Sequence, residues 1–391
     1  MKTKKFQKDT VFTVSLAHMA HDINSAFLAP LIPLLIEKLG LSLAMVSLLD
    51  IIRRIPSLFN PFFGLLAEHV GFKYFVILTP ALTAISMGFV GLANSTLILF
   101  ILLLIAGISA AFFHIPSPVM IKEASGDKVG TGMSFFMVGG EGARTIGPIL
   151  ITAAISWWGL EGTWRLMPIG IIASVILYFK LRNFKLHTSL QKPKQKGDTK
   201  KILIKFAPFF AAIGGFILFQ TWMKSALVLY LPVYMKEQGF GLWYAGISLA
   251  VLELFGVIGT LFAGHYSDKI GRTNMLLISS IGAALSMSLF IVSNDFFILP
   301  ILACIGFFLF ATGPVLMALV QDTNTNMPTF MNSIYMSVNF GVSSLIVFGV
   351  GSLGDFVGLE STYKICAALA FVCIPLSTIL AKITKICKGF N

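Results

Sequence analysis

The sequence predicts an all-α polytopic membrane protein, with twelve transmembrane helices in two pseudo-symmetric six-helix bundles. Three observations carry that prediction. The first is the composition: of 391 residues, 56% are hydrophobic and 12% charged, against about 25% charged in a soluble domain. Thirty-six Phe cannot be arranged as a core inside a shell that holds only 17 Asp and Glu. A soluble enzyme, a disordered tail and a coiled coil are excluded on that ground. The second is the length of the apolar runs. They reach about 20 residues or more without alternating, as a spanning helix requires, whereas barrel strands alternate over about ten. Helices and closed barrels are the structures that satisfy every backbone group in lipid. The third is one long polar stretch, from Arg182 to Lys201, which has no apolar periodicity and divides the runs six and six.

The elements follow in order. The first span is placed at 10–36, behind a basic start of Lys2, Lys4, Lys5 and Lys8. That run is too long, and too charged inside, for the apolar core of a cleavable signal. The second span, 43–67, carries Asp50, Arg53 and Arg54. The third to sixth are placed at 73–93, 96–121, 130–158 and 162–181, closing a first bundle over residues 1–182. Residues 183–204 read as a flexible cytoplasmic linker. The second bundle, 205–391, holds spans at 205–235, 243–266, 272–293, 296–320, 328–353 and 361–383. Several exceed the crossing length, so tilt or protruding ends are expected.

Orientation comes from the basic residues. With the N-terminus inside, most of the 29 Lys and Arg fall in inner segments, and only Lys38, Arg165, Lys236 and Lys364 fall in outer ones. Both termini and the linker are therefore expected in the cytoplasm of a cell whose inner membrane holds the chain. The net charge of +12 is then topological, and nucleic acid is not an expected partner. Cys304, Cys366, Cys373 and Cys387 form no CxxC pair. They read as buried small hydrophobes rather than as a disulfide or metal set.

The halves repeat. Gly64, Glu68 and Gly71 follow the second span, and Gly264, Asp268 and Gly271 follow the eighth, at an offset of 200. Pro33 and Gly40 end the first span as Pro232 and Gly239 end the seventh, at an offset of 199. Two coincidences in corresponding places argue for a duplicated six-helix unit.

Charges inside the spans are costly, about 2.5–3.5 kcal/mol each at mid-bilayer on insertion scales, and therefore mark candidate sites. His18 and Asp22 share a helical face at i and i+4, with His21 beside them. A carboxylate among histidines can hold one proton or two over a small pH range, which suits proton coupling. A structural hydrogen-bonded pair and a metal site are the alternatives. Glu141 and Arg144 lie three apart among Gly139, Gly140, Gly142 and Ala143, glycines that admit a close neighbouring helix. They fit a local ion pair or, for Glu141, a proton carrier. Asp50 can pair with Arg53 or Arg54; the set fits a structural network or, through its surplus positive charge, an anionic substrate group. Lys224 and Glu253 are single charges that can pair with each other or with the first half, and Lys224 is a candidate for anion binding. His114 precedes Pro116 and Pro118, which loosen the helix; it fits a cavity wall or a satisfied packing histidine. Arg53, Arg54, His114, Arg144 and Lys224 are the expected substrate contacts.

The repeated loops, Gly64-x-x-x-Glu68-x-x-Gly71 and Gly264-x-x-x-Asp268-Lys269-x-Gly271-Arg272, resemble the signature of the major facilitator superfamily. The second copy is nearly complete; the first has Glu68 for Asp and Phe72 where Arg is usual. A narrower likeness is to the fosmidomycin-resistance branch of bacterial efflux proteins. It is carried by His18, Asp22, Phe113-His114, Val138-Gly139-Gly140, Gly147-Pro148 and Gly351 to Asp355. Gly147-Pro148 also resembles the antiporter motif of proton-coupled drug exporters, where it acts in helix packing. Asp50, Arg53, Arg54, Glu141 and Arg144 depart from that branch, which leaves the substrate open. The resemblance implies that Gly64, Glu68, Gly71, Gly264, Asp268, Lys269, Gly271 and Arg272 gate, latching the halves in one state rather than binding substrate.

No Walker loop, HExxH or ordered Ser-His-Asp set occurs, so neither an enzyme nor an ATP-driven pump is expected. The expected function is proton-coupled efflux, by alternating access, of a small amphipathic or anionic compound. It needs no cofactor beyond the proton gradient and works as a monomer in the lipid bilayer. Asp22, His18, Glu141 and His21 are the expected coupling residues. Two alternatives stand beside it: divalent-metal export through His18, His21, Asp22 and His114, and a non-transporting membrane sensor or lipid-handling protein.

Overall fold

The computed structural model describes residues 6–59, 72–126, 129–183, 199–323 and 328–388. Among them the backbone forms helices and turns and no strand. Among the described residues, ten helices are long and apolar enough to cross a membrane. With the described part of the second span, 43–59, and the thirty-residue helix Val129–Trp158 they make up the twelve. The chain forms two compact units, Met1–Ser189 with Met235–Ala250, and Leu190–Tyr234 with Val251–Asn391.

In the first unit the helices are α1 (Lys8–Ser25), α2 (Leu28–Leu39), α3 (Leu43–Arg54), α4 (Phe72–Phe89), α5 (Thr96–His114), α6 (Pro116–Ser125), α7 (Val129–Trp158) and α8 (Met167–Leu181). Their starts and stops have local causes. The Ser42 side chain accepts from Met45 N–H at 3.1 Å at the start of α3, and Ser95 accepts from Ile98 N–H at 3.4 Å at the start of α5, each satisfying an orphan donor. The first span, expected as one helix, is broken at Ala26–Phe27. Pro30 has no N–H to offer the Ala26 carbonyl, so the ladder is interrupted there. The fourth span breaks at Ile115 for the same reason, at Pro116. α1 is packed by α7, α4, α8 and α6, which places its middle turns at the centre of the unit.

The second unit is built from α9 (Thr199–Glu237) as far as Tyr234, α10 (Leu242–Ile270) from Val251 on, α11 (Arg272–Val292), α12 (Ile298–Gln321), α13 (Pro328–Val357), α14 (Leu359–Ala370) and α15 (Cys373–Lys388). Its core gathers Phe206, Phe209, Phe216, Val315, Leu319 and Leu380. Cys366 and Cys373 are buried and unbridged as expected, but Cys304 is exposed. The outer surface carries residues such as Val292 and Phe356, at 76% and 87% exposure, a face that lipid rather than water accommodates.

The duplication is visible in the packing. Gly40 ends α2 at φ 63°, and Gly239, 199 residues on, sits at φ 87° after α9, a left-handed conformation that glycine adopts without strain. A Cβ on Gly107 would lie 2.1 Å from the Arg53 carbonyl oxygen, and one on Gly306 would lie 2.1 Å from that of Leu252. Both pairs are again related by 199 residues. In each unit, bare backbone of one helix rests on bare backbone of another.

Candidate functional site

The third and fourth turns of α1 carry His18, His21 and Asp22 on one side of the helix. All three are buried, His21 completely. Asp22 is the hub. Its Oδ2 lies 3.2 Å from His18 Nε2. Its Oδ1 lies 2.8 Å from His21 Nδ1 and 3.3 Å from His114 Nε2. His114 ends α5 at the proline break, and its ring is 42% exposed, so it is the open side of an otherwise closed cluster.

Contacts on the far side of each ring hold it in place. His18 Nδ1 lies 2.8 Å from the Phe136 carbonyl oxygen. A carbonyl only accepts, so that nitrogen carries the hydrogen. His21 Nε2 lies 2.9 Å from Thr83 Oγ1. The Thr83 hydroxyl donates to Ser109 Oγ at 2.7 Å, and Ser109 donates to the Thr79 carbonyl at 3.0 Å. The His18 ring stacks on Phe136 at 4.0 Å between centroids, and the His21 ring on Phe113 at 4.6 Å. The glycines of α7 make room for this. A Cβ on Gly140 would lie 2.4 Å from His18 Cε1, and one on Gly139 would lie 2.3 Å from the Ser15 carbonyl oxygen. Further along, one on Gly147 would lie 2.7 Å from Ala26 Cβ, beside Pro148 within α7.

The cluster can hold protons between its ring nitrogens and its carboxylate. His18, Asp22 and His114 each also offer one atom within 4.8 Å of the others, a spread that one cation could bridge in place of those protons.

The other charged positions stand apart from it. Asp50 is buried and holds both of its arginines, Arg53 at 3.0 Å and Arg54 at 2.8 Å. Arg53 donates in addition to the Ser25 carbonyl at 3.1 Å, tying α3 to α1, while Arg54 is half-exposed. Glu141 and Arg144 pair with each other at 3.2 Å. In the second unit Lys224 Nζ lies over the Phe310 ring, 5.1 Å from its centroid, and Glu253 is buried. Of the loop motifs, Gly64, Glu68 and Gly71 lie outside the described residues. Gly271 adopts φ 94° and Gly264 has open space around it. Arg272 bonds Asp268 at 2.5 Å and reaches Asp322 at 3.5 Å, and Lys269 lies over Tyr266.

Residues 14–348 match the family model described as the Major Facilitator Superfamily. The chain belongs to that superfamily. It is 23% identical over 367 residues to the fosmidomycin resistance protein of Escherichia coli (strain K12), covering 91% of this chain and 89% of that one. It is 24% identical over 396 residues to an uncharacterized MFS-type transporter of Bacillus subtilis (strain 168), covering 97% and 95%. Among solved structures, a bacterial homolog of the human lysosomal transporter Spinster superposes with a TM-score of 0.75 at 16% identity, covering 99% and 98% of the two chains. A D-xylose-proton symporter does so with 0.72 at 13%, covering 95% and 97%. The protein is thus a multi-pass membrane transporter of this superfamily, in which a small molecule is carried across the bilayer.

Sequence inspection did not single out Thr83, Ser109 or the Phe136 carbonyl. A signal for the first existed. Thr79, Thr83 and Ser86 are spaced by four and three within an apolar span, a polar stripe on one helical face. The Phe136 carbonyl has no sequence signal, because every residue offers one.

Proposed function

We propose that this transporter is a proton-driven exporter of a small amphipathic or anionic compound, with the Asp22 cluster as its coupling site. The observation that carries the proposal is a single buried carboxylate held by three imidazoles, 2.8 to 3.3 Å away. Such a set can take up and release whole protons, which a proton-driven cycle requires. Export, rather than import, is supported by the likeness to the fosmidomycin resistance protein. Arg54 and Arg144, both half-exposed, and Lys224 offer positive charge to an anionic substrate. The two bundles, 1–182 and 205–391 about the linker 183–204, rock about the substrate in alternating access, latched by the Glu68 and Asp268 loops. The chain acts as a monomer in the inner membrane with both termini in the cytoplasm. It is a carrier and not an enzyme, uses the proton gradient in place of any cofactor, and has no nucleic-acid partner.

The test uses the purified chain in proteoliposomes, with fosmidomycin as the anionic probe and ethidium as the cationic one. An imposed pH gradient drives efflux in the parent, and Asp22→Asn abolishes that drive while probe binding by thermal shift persists. Unchanged pH-driven efflux in Asp22→Asn sinks the assignment. The spread of 4.8 Å among His18, Asp22 and His114 favours one competing outcome, divalent-metal export. In that case Zn²⁺ raises the unfolding temperature, His114→Ala removes the effect, and the organic probes do not move.

A further inference from the structure

We infer that Thr83 and Ser109 are positioning residues that fix the tautomer of His21, keeping a hydrogen on its Nε2 and turning Nδ1 to Asp22. The inference rests on the proton-coupled reading above and adds to it the orientation of one ring.

One chain of atoms fixes the direction of each bond. The Thr79 carbonyl only accepts, so the Ser109 hydrogen points to it across 3.0 Å. Ser109 Oγ is then left to accept, and it takes the Thr83 hydrogen across 2.7 Å. Thr83 Oγ1 in turn has only lone pairs for His21, 2.9 Å away, so His21 Nε2 must donate. The three bonds can be made together in this direction alone. Each hydroxyl is buried, where an unmade bond costs more than a made one gains.

With a hydrogen committed on its far side, His21 is in the position of His18, whose Nδ1 is committed to the Phe136 carbonyl. Both rings turn their second nitrogen to Asp22, one to each oxygen. If the rings were neutral and Asp22 ionised, both contacts would set lone pair against lone pair. Each contact therefore needs an added proton or a bridging cation between its two atoms. His114 makes no such demand, because a neutral ring can donate from Nε2 to Asp22 Oδ1.

Among the described residues, the charged groups that act on His21 are those of the cluster itself. His21 interacts with Asp22, His18 and His114. α4 presents Thr79 and Thr83, and α5 presents Ser109 and His114. α7 presents the Phe136 carbonyl and its glycines, with Glu141 paired to Arg144. On α8, Lys180 bonds Asp9, more than two turns before His18; α6 meets the start of α1, where Gln7 N–H bonds the Ala124 carbonyl.

Removing the Ser109 hydroxyl frees the Thr83 hydrogen to bond His21 Nε2. His21 can then carry its hydrogen on Nδ1 and donate it to Asp22 Oδ1. The experiment is ¹⁵N NMR of histidine-labelled full-length protein in nanodiscs, with the His21 signals assigned by their loss in His21→Gln. In the parent, Nε2 carries a hydrogen across the pH range in which the protein is folded. In Ser109→Ala the form with bare Nε2 rises about tenfold, and Ser109→Thr restores the parent pattern. If Ser109→Ala does not fold, Thr83→Val gives the same answer, since it removes the acceptor itself. An unchanged His21 pattern in the folded variant, or a bare Nε2 in the parent, overturns the inference. Failure of the coupling assignment looks different: pH-driven efflux survives in Asp22→Asn while the His21 pattern still responds to Ser109.

Discussion

The two units place different chemistry at the same address. Counting 199 residues on from the cluster, His21 corresponds to Gln220, Asp22 to Thr221, Thr83 to Gly282 and Ser109 to Phe308. Gln220 Nε2 donates to the Leu309 carbonyl at 3.0 Å and to Thr312 Oγ1. Where the first unit has its hydroxyl chain, the second fills the space with a ring: a Cβ on Gly282 would lie 2.5 Å from Phe308. An amide donates and accepts equally at every physiological pH, whereas an imidazole–carboxylate set does not. What the duplicated scaffold keeps is the close backbone contact of Gly107 with Arg53 and of Gly306 with Leu252. What it varies is whether the polar group near the middle of the first helix can titrate. Under the proposed function, proton exchange at this position belongs to the first unit, while the corresponding amide of the second keeps a constant charge.

The hardest way to break this comparison is to make the first unit like the second. Asp22→Thr installs the residue of the corresponding position, and it should abolish pH-gradient-driven efflux in proteoliposomes. Thr221→Val in the second unit should leave the pH dependence of efflux as it is. Equal losses in the two variants would mean that the coupling is shared and that the asymmetry between the units has no functional content.

The next effect concerns what the units have in common. Gly107→Ala and Gly306→Ala each push a methyl to 2.1 Å from a backbone oxygen, which helix backbones relieve only by moving apart. Each should cost about 1–3 kcal/mol, the usual range for overpacking, and the two should lower the unfolding temperature alike. Gly142→Ala is the control. Nothing lies within 4 Å of its added methyl, and alanine in a helix gains about 0.5–1 kcal/mol over glycine. A clear difference between the Gly107 and Gly306 variants would show that the two contacts do not do the same job.

Much of this was legible before any coordinates. The spans followed from apolar run length, and the duplication from spacings such as Gly40 and Gly239, because a left-handed helix end admits few residues besides glycine. The break at Ala26–Phe27 was readable in principle from Pro30. His18, His21 and Asp22 were legible because charge is costly in lipid and few such residues occur. Asp50 with Arg53 and Arg54, and Glu141 with Arg144, were legible as pairs because i, i+3 and i+4 spacing fixes proximity within one helix. Contacts between helices were not. Nothing in the sequence brings Thr83 to His21 across 62 positions, or the Phe136 carbonyl to His18 across 118. Those contacts depend on how α4 and α7 pack on α1, and for α7 the glycine seats at Gly139 and Gly140 permit the close approach.

The smallest expected effect is the sharpest probe of the asymmetry. Gln220→Met keeps the length and volume of the side chain and removes its bonds to Leu309 and Thr312. A neutral hydrogen bond is worth about 1 kcal/mol net, so unfolding should shift by a few degrees at most, and the pH dependence of efflux should not change. The matching substitution in the first unit, His21→Gln, keeps a permanent donor but cannot hold an added proton. It should cost little stability and still alter the pH dependence, because the Asp22 contact then needs no proton on the ring. If Gln220→Met shifts the pH dependence as far as His21→Gln does, the amide of the second unit takes part in the proton cycle, and the division of labour argued above is wrong.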